Sequence, residues 1–227
     1  MRPDHGRGLD HLLREIREEV WATRYLTGRP ALDERVTEAL RQVPRHAFVP
    51  PELQDGAYAN HPLPIGFGQT ISQPYIVALM SDLIDPLPDH VVLEIGTGSG
   101  YQAAILARLV KQVYTIEIVP ELAAQAAERL RRLGYDNVEV RAGDGRLGWP
   151  EHAPFDAILV AAAPTRIPSA LIDQLKPGGR LVIPVGEQHA GQDLLVLAKR
   201  ASGDIEKKSV LPVAFVPLTG PEGQGWH

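Results

Sequence analysis

The most distinctive run of this sequence is a glycine-rich turn, Gly96-Thr97-Gly98-Ser99-Gly100, which directly follows the apolar segment Val91–Ile95. Glycines at alternate positions let the backbone turn tightly and approach a ligand without interference from Cβ atoms. The helix predicted to follow would present free backbone N–H groups to a polar ligand. The pattern therefore predicts a cradle for a nucleotide or a nucleotide-like cofactor.

The spacing of this turn differs from that of a dinucleotide site. The G-x-G-x-x-G fingerprint needs glycine or alanine where this chain has Tyr101. Glu117 lies 21 positions after Gly96, at the end of the next apolar run, where a carboxylate can accept hydrogen bonds from both ribose hydroxyls. The alternative interpretation of Glu117 is a solvated charge at a strand end. The spacing favours an adenosyl cofactor over NAD.

Two further acidic residues extend the predicted site. Glu94 lies inside an apolar strand, and because an unpaired buried carboxylate is costly, we expect it to accept from the N–H groups of the glycine loop or from a cofactor amino group. Asp144 follows the third predicted strand and would face the exocyclic amine of an adenine, or else be an ordinary turn aspartate. Open α/β sheets bind ligands at such strand ends. The predicted cofactor-binding residues are Glu94, Gly96, Thr97, Gly98, Gly100, Glu117, Asp144 and Gly145.

The elements that must position these residues follow a strand–helix alternation from residue 90 to about 185. This rhythm predicts a doubly wound, mostly parallel sheet with helices on both faces. A hairpin around Ser202 predicts antiparallel strands at the C-terminal end. The predicted strands are Val91–Ile95, Gln112–Ile118, Val138–Arg141, Phe155–Val160, Arg180–Pro184, 192–200 and 204–216, and the predicted helices are Tyr101–Val110, Pro120–Leu133 and Ser169–Lys176, the last ended by Pro177-Gly178-Gly179.

The N-terminal region lacks the strand–helix alternation, and its sequence pattern predicts a helical cap on the sheet. Amphipathic patterns indicate helices over Leu9–Leu26 and Asp33–Val43, with Asp33 as an N-cap. A loop over Pro62–Gly68 follows, and then a helix that starts near Ser72 or Gln73. We expect residues 1–75 to form the cap and a substrate-side loop, residues 76–219 the cofactor-binding core, and residues 220–227 a flexible tail.

Composition limits the classes of function. The 227 residues, 44% hydrophobic and 22% charged, suit one domain with a sizeable core. A net charge of -5 disfavours a nucleic-acid partner. The absence of cysteine excludes disulfides, thiolate metal sites and a cysteine nucleophile, and the histidines show no metal-ligand spacing. No apolar run approaches the roughly 18 residues of a membrane span. We expect a cytoplasmic monomer without a metal.

Longer motifs resemble a known class of enzymes. The segments Leu93–Tyr101, Gly143-Asp144-Gly145, Pro154–Ile158 and Leu175–Leu181 resemble class I methyltransferases. Gln69-Thr70-Ile71-Ser72-Gln73-Pro74, together with Phe215-Val216-Pro217-Leu218, is more narrowly similar to the protein-L-isoaspartate O-methyltransferase family. This similarity extends from about Pro44 through Thr219.

The resemblance implies a Rossmann-like fold that binds S-adenosylmethionine and releases S-adenosylhomocysteine. It also implies methyl transfer to the free carboxylate of L-isoaspartyl or D-aspartyl residues in damaged proteins and peptides, which initiates their repair. Ser72 takes the role of the active-site serine that contacts the substrate. The substrate-binding residues expected from the resemblance are Ile65, Thr70, Ser72 and Val216.

The chemistry of such a transfer agrees with these residue types. A carboxylate has a reference pKa near 4, so at pH 7 it is already an ionised nucleophile and needs no general base. Ser72 suits the task of a hydrogen-bond donor, whereas a hydrolytic serine would need a neighbouring histidine and a G-x-S-x-G elbow. Three alternatives stay open. Ser72 could be a helix N-cap. The chain could be a methyltransferase for a small molecule or RNA with the same cofactor fold, or a non-catalytic cofactor-binding module whose groove serves protein interaction.

Overall fold

The computed structural model describes residues 5–187 and 190–220, which form six α-helices, nine strands and short 3-10 turns. The N-terminal part comprises helices α1 (His5–Thr27) and α2 (Glu34–Gln42), strands β1 (Leu63–Gly66) and β2 (Gln69–Ile71), and helix α3 (Pro74–Leu83). The following elements are β3 (Val91–Ile95), α4 (Tyr101–Ala107), β4 (Gln112–Glu117), α5 (Pro120–Arg132), β5 (Val138–Ala142), β6 (Phe155–Val160), α6 (Ser169–Asp173), β7 (Leu175–Glu187), β8 (Gly191–Lys199) and β9 (Ile205–Val213).

Seven strands form the central sheet in the order β5-β4-β3-β6-β7-β8-β9. The five strands from β5 to β7 are parallel, and β8 and β9 are antiparallel. The predicted doubly wound sheet with antiparallel C-terminal strands is thereby confirmed. Because β3 pairs with β4 on one side and with β6 on the other, the strand order reverses at β3. A crevice at the carboxyl end of such a strand is where open α/β sheets bind ligands.

The side chains of β3 alternate between two apolar layers, as the period of a strand requires. Val92 packs into the layer that also contains residues of α1, α2, α3 and α4. Leu93 and Ile95 pack into the opposite layer, with Trp149 and with Leu171 of α6. Both faces of the sheet are therefore covered at β3, which explains why this strand is a nearly continuous apolar run.

The predicted helical cap is present, with one correction in its loop. Asp33 is the N-cap of α2, as predicted, and its carboxylate accepts from the Arg35 N–H at 2.8 Å. The stretch predicted as a loop over Pro62–Gly68 is instead part of a hairpin, because Leu63 pairs with Ile71. The turn between β1 and β2 requires a positive φ of 53° at Phe67.

The prediction for residues 169–179 is wrong at its C-terminal end. Helix α6 ends at Asp173, and β7 already begins at Leu175, which is buried and pairs with Phe155 of β6. Pro177-Gly178-Gly179 thus lies within a strand and is no helix stop. A Cβ on Gly179 would lie 2.7 Å from the Asp156 carbonyl oxygen, so this glycine permits close approach of the two strands.

The C-terminal hairpin of β8 and β9 is confirmed, but β9 ends at Val213, three residues before the predicted end. Residues 214–216 leave the sheet and turn toward the carboxyl end of β6, where Ala163 pairs with Pro217. Residues 221–227 of the predicted tail lie outside the described residues. None of the helices that the structure describes is both long and apolar enough to cross a membrane.

Candidate active site

The glycine loop lies at the carboxyl end of β3, where a cavity opens between β3, β4 and the β2–α3 junction. Five of the eight residues predicted to bind the cofactor line this cavity: Gly96, Thr97, Gly98, Glu117 and Gly145. The Ile65 side chain approaches the loop, since a Cβ on Gly98 would lie 3.4 Å from its Cδ1 atom. Several apolar or aromatic residues also line the cavity, among them Ile95, Ile116, Tyr101, Ala161 and Ala162.

Glu117 ties the glycine loop to the end of β4. Its Oε2 atom accepts from the Gly98 N–H at 2.7 Å, and its Oε1 atom accepts from the Val119 N–H at 3.1 Å. The residue is only 5% exposed, so it is not the solvated strand-end charge of the alternative interpretation. Each carboxylate oxygen has a second acceptor position, which leaves capacity for the hydroxyls of a ribose.

Glu94 lies beneath the glycine loop and contacts it through two hydroxyls. Its Oε2 atom accepts from the Thr115 hydroxyl at 2.6 Å, and that hydroxyl lies 2.6 Å from the Thr97 hydroxyl. Burial raises the pKa of Glu94 to about 8, and Glu117 adds to the rise. Glu94 does not make the expected bonds to backbone N–H groups of the loop, because Glu117 accepts from the Gly98 N–H instead. The Glu94 Oε1 atom is buried without a hydrogen-bond partner.

Gly100 and Asp144 serve the frame of the site and do not line the cavity. Gly100 is the N-cap of α4 with a φ of 86°, and a Cβ there would lie 3.2 Å from Leu130 Cδ1. Asp144 accepts from the Arg146 N–H at 2.9 Å and forms an ion pair with its guanidinium at 2.7 Å. Hydrogen bonds from Arg146 hold the pKa of Asp144 below its usual range. This geometry is that of a turn aspartate, and the contact of Asp144 with an adenine stays a prediction.

Gly145 closes the cavity next to Asp144. A Cβ at this position would lie only 2.2 Å from Ile95 Cγ2, which is far inside van der Waals contact. The glycine therefore lets the chain after β5 pass directly over the end of β3.

A groove of about 910 Å³ adjoins the cavity on the side of the N-terminal helix. Thr70, Ser72, Ala161 and Val216 line both the cavity and the groove. Ser72 is not an N-cap, because Gln73 occupies that position and α3 begins at Pro74. Among the described residues, neither the Ser72 nor the Thr70 hydroxyl has a hydrogen-bond partner within the protein. Both hydroxyls are thus free to donate to a ligand at the junction.

A fully buried arginine holds the backbone beneath Ser72, and the sequence did not indicate it. The Arg45 Nη2 atom donates to the Ser72 carbonyl oxygen at 2.8 Å, and its Nε atom donates to the Ala57 carbonyl oxygen at 2.9 Å. The guanidinium also lies 4.9 Å from the centre of the Tyr101 ring. Burial lowers the pKa of Arg45. From the sequence alone, an arginine between two helices is expected to be a surface charge. No local signal distinguishes the buried Arg45 from an exposed arginine.

The N-terminal helix supplies part of the groove, which the sequence also did not indicate. Glu19 and Thr23 of α1 line the groove opposite residues 211–216, and the Thr23 hydroxyl lies 2.6 Å from the Tyr75 hydroxyl. No group of three metal-ligating side chains occurs in the described ranges.

Comparisons with known proteins agree with this geometry. A model of the family "Protein-L-isoaspartate(D-aspartate) O-methyltransferase" matches residues 23–223. A protein-L-isoaspartate O-methyltransferase 2 from Polaromonas sp. is 59% identical over 209 residues, which are 92% of this chain and 99% of the relative. A protein of the same name from Syntrophobacter fumaroxidans is 57% identical over 216 residues, 95% of this chain and 87% of the relative.

Two solved structures share the fold over nearly the whole chain. A protein-L-isoaspartate O-methyltransferase structure aligns with a TM-score of 0.79 at 25% identity. The alignment covers 93% of this chain and 66% of the chain in that structure. A Plasmodium falciparum structure assigned to the same activity, in complex with S-adenosyl-L-homocysteine, aligns with a TM-score of 0.73 at 26% identity, over 92% of this chain and 97% of its own.

Proposed function

The chain belongs to the protein-L-isoaspartate(D-aspartate) O-methyltransferase family, and from this premise we propose that it methylates damaged aspartyl residues. The methyl donor is S-adenosylmethionine, and the acceptor is the free carboxylate of an L-isoaspartyl or D-aspartyl residue in a protein or peptide. Formation of this methyl ester is the first step of repair. That the enzyme is a cytoplasmic monomer stays a prediction of the sequence.

The cavity at the glycine loop fits the cofactor chemically. An adenosyl group needs an apolar slot for its base and acceptors for its ribose hydroxyls, and the cavity combines Ile95 and Ile116 with the Glu117 carboxylate. The buried Glu94 Oε1 atom, which has no partner, offers one further hydrogen-bonding position beneath the loop. When bound, the cofactor supplies an electrophilic methyl group on a sulfonium.

One observation carries the proposal: Ser72 and Thr70 lie at the boundary that the cavity shares with the groove. A methyl donor in the cavity and a peptide in the groove would meet at these two free hydroxyls. Val216 and Ala161 form the apolar side of the same junction. The arrangement supports Ser72 as the residue that contacts the acceptor.

The acceptor carboxylate is ionised at neutral pH, so the protein needs to orient it and remove its water. We assign the Ser72 hydroxyl to donate a hydrogen bond to one carboxylate oxygen, which leaves the other oxygen to attack the methyl group. Arg45 holds the Ser72 carbonyl oxygen from below and thus keeps the hydroxyl in place. Alignment of the two reactants can lower the activation barrier by up to about 7 to 11 kcal/mol.

The test is methyl transfer from labelled S-adenosylmethionine to an isoaspartyl peptide and to its ordinary aspartyl twin. The proposal expects label in the isoaspartyl peptide alone. Ser72→Ala removes one donor to a charged acceptor, so kcat/KM for the peptide falls roughly 10- to 150-fold while cofactor affinity stays unchanged. Ser202→Ala, in the exposed turn between β8 and β9, is the matched control.

Equal labelling of the two peptides, or none, would contradict the proposal. Transfer to RNA or to a small molecule with the peptide untouched would favour the alternative acceptor class. Unchanged peptide turnover in Ser72→Ala would remove the assigned role of this serine and leave the methyl donor unaffected.

A further inference from the structure

The groove next to the active site contains one carboxylate that the proposed methyl transfer does not use. Glu19 of α1 is half-buried in the groove wall. It is the only charged side chain among the described residues that line this groove; the others are apolar or neutral polar. From the described residues that line the groove, a peptide therefore meets one formal charge, and that charge is negative.

The Glu19 carboxylate is held in place by neutral donors. Its Oε2 atom accepts from the Asn60 side-chain amide at 2.8 Å and from the Gln73 side-chain amide at 3.2 Å. The Asn60 side chain is itself fixed, because its Oδ1 atom accepts from the Tyr75 N–H at 3.0 Å. The carboxylate is thus preorganised, and its position does not depend on a cation.

No cation in the described part of the chain forms an ion pair with this carboxylate. None of the ion pairs found in residues 5–187 and 190–220 includes Glu19. Glu15, one turn earlier on the helix, repels it, and burial together with this repulsion raises the pKa of Glu19. A partly desolvated carboxylate with free acceptor positions and no cation is a site that a positively charged group would stabilise.

The position of Glu19 relative to Ser72 indicates where on the substrate such a group would lie. Gln73, which donates to Glu19, directly follows Ser72 in the chain. An extended peptide advances about 3.3 Å per residue. With the acceptor carboxylate at Ser72, side chains one or two residues away along the peptide come within reach of Glu19.

We propose that Glu19 forms a cation subsite of the peptide groove, which binds a lysine or arginine side chain next to the isoaspartyl residue. The inference rests on the proposed function and deepens it, since it names a preferred class of substrate sequence. Damaged sites flanked by a basic residue are methylated faster than those flanked by a neutral or an acidic one.

The experiment compares isoaspartyl peptides that differ at one flanking position, which holds lysine, norleucine or glutamate. Norleucine matches the aliphatic stem of lysine without its charge. At low ionic strength, kcat/KM at the best flanking position is expected to be roughly five- to tenfold higher for lysine than for norleucine, and lower again for glutamate. Added salt reduces the ratio because the interaction is between charges.

Glu19→Gln separates recognition from a merely structural role. Glutamine keeps an acceptor oxygen for Asn60 and Gln73 but carries no charge, so the lysine-to-norleucine ratio falls to about one because kcat/KM falls more for the lysine peptide than for the norleucine peptide. Glu18→Gln, at the exposed neighbouring position of α1, leaves the ratio unchanged.

Three results would overturn the inference. A ratio near one at every flanking position in the wild-type enzyme, with the norleucine peptide still methylated, would refute the subsite and leave the proposed function intact. An equal loss on all peptides in Glu19→Gln would mean that Glu19 only anchors the groove wall. Failure to methylate any of the isoaspartyl peptides would refute the proposed function, and the subsite with it.

Discussion

The Glu117 carboxylate combines two tasks, and Glu117→Gln tests both. In the structure the carboxylate accepts from the Gly98 and Val119 N–H groups at 2.7 and 3.1 Å, which fixes the glycine loop against the end of β4. The same carboxylate is predicted to accept from the ribose hydroxyls of the cofactor. Glutamine has nearly the same shape but presents an NH2 group in place of one oxygen, so one of the two backbone donors faces another donor.

The magnitudes follow from hydrogen bonds to a charged acceptor. Loss of one buried N–H bond to the carboxylate costs about 1.5 to 3 kcal/mol, and this loss lowers the stability of the protein without cofactor. Loss of charge-assisted bonds from the ribose costs a similar amount in binding only, which corresponds to a roughly 10- to 150-fold higher dissociation constant for the cofactor. The ratio of isoaspartyl to aspartyl methylation stays unchanged, because Glu117 does not line the groove.

Two measurements separate these effects. Thermal or urea denaturation of the protein without cofactor reports the loop contact, and titration calorimetry with S-adenosylhomocysteine reports the ribose contact. Glu139→Gln, an exposed glutamate on the neighbouring strand β5, is the control for the loss of one surface charge. A dissociation constant within twofold of the wild-type value would refute the ribose assignment, and unchanged stability would refute the structural role.

Two further predictions concern buried charges of the site. Because the pKa of Glu94 is about 8 and thus above its ordinary value of 4.5, the folded chain binds this proton more tightly than the unfolded chain. The contribution of this proton to the free energy of unfolding is complete below pH 4.5 and is lost as the pH rises toward 8. Glu94→Gln should therefore flatten this decline when the free energy of unfolding is measured by urea denaturation at pH 5, 6.5 and 8. Parallel pH dependences for the wild-type protein and the variant would contradict the prediction. Arg45→Lys keeps the charge but not the fork that reaches the Ser72 and Ala57 carbonyl oxygens, so we expect a loss of about 2 to 4 kcal/mol in stability and a lower kcat with unchanged cofactor affinity. A stable variant with normal turnover would mean that Arg45 does not position Ser72.

The cofactor side of the molecule was predictable because its signals are local. A buried strand, three spaced glycines and a helix are contiguous in the chain, and Glu117 follows at the end of the next strand. The register of a parallel sheet then brings these ends together without further information. The sequence did not indicate which glutamate holds the glycine loop. Glu117, and not Glu94, accepts from the loop N–H, because the Glu94 side chain lies below the loop and contacts Thr115.

Elements determined by pairing across the fold were less predictable. The start of β7 depends on Leu175 pairing with Phe155, which overrides the helix-stop pattern of Pro177-Gly178-Gly179. The hairpin of β1 and β2 likewise depends on pairing, since Leu63 and Ile71 look like isolated apolar residues in a turn-rich segment. Neither pairing leaves a periodic signal in such short stretches.

The two sides of the junction at Ser72 are built in different ways, and this difference has a functional consequence. The cofactor cavity is formed mainly by the ends of sheet strands, whose geometry is determined by the core. The groove is formed by α1 on one side and by residues 211–216 on the other, which are separated by almost the whole chain. Substitutions in either groove wall can therefore alter which flanking residues are accepted without disturbing the cavity. Because Glu19 lines the groove and not the cavity, its replacement should change peptide preference and leave cofactor affinity unchanged.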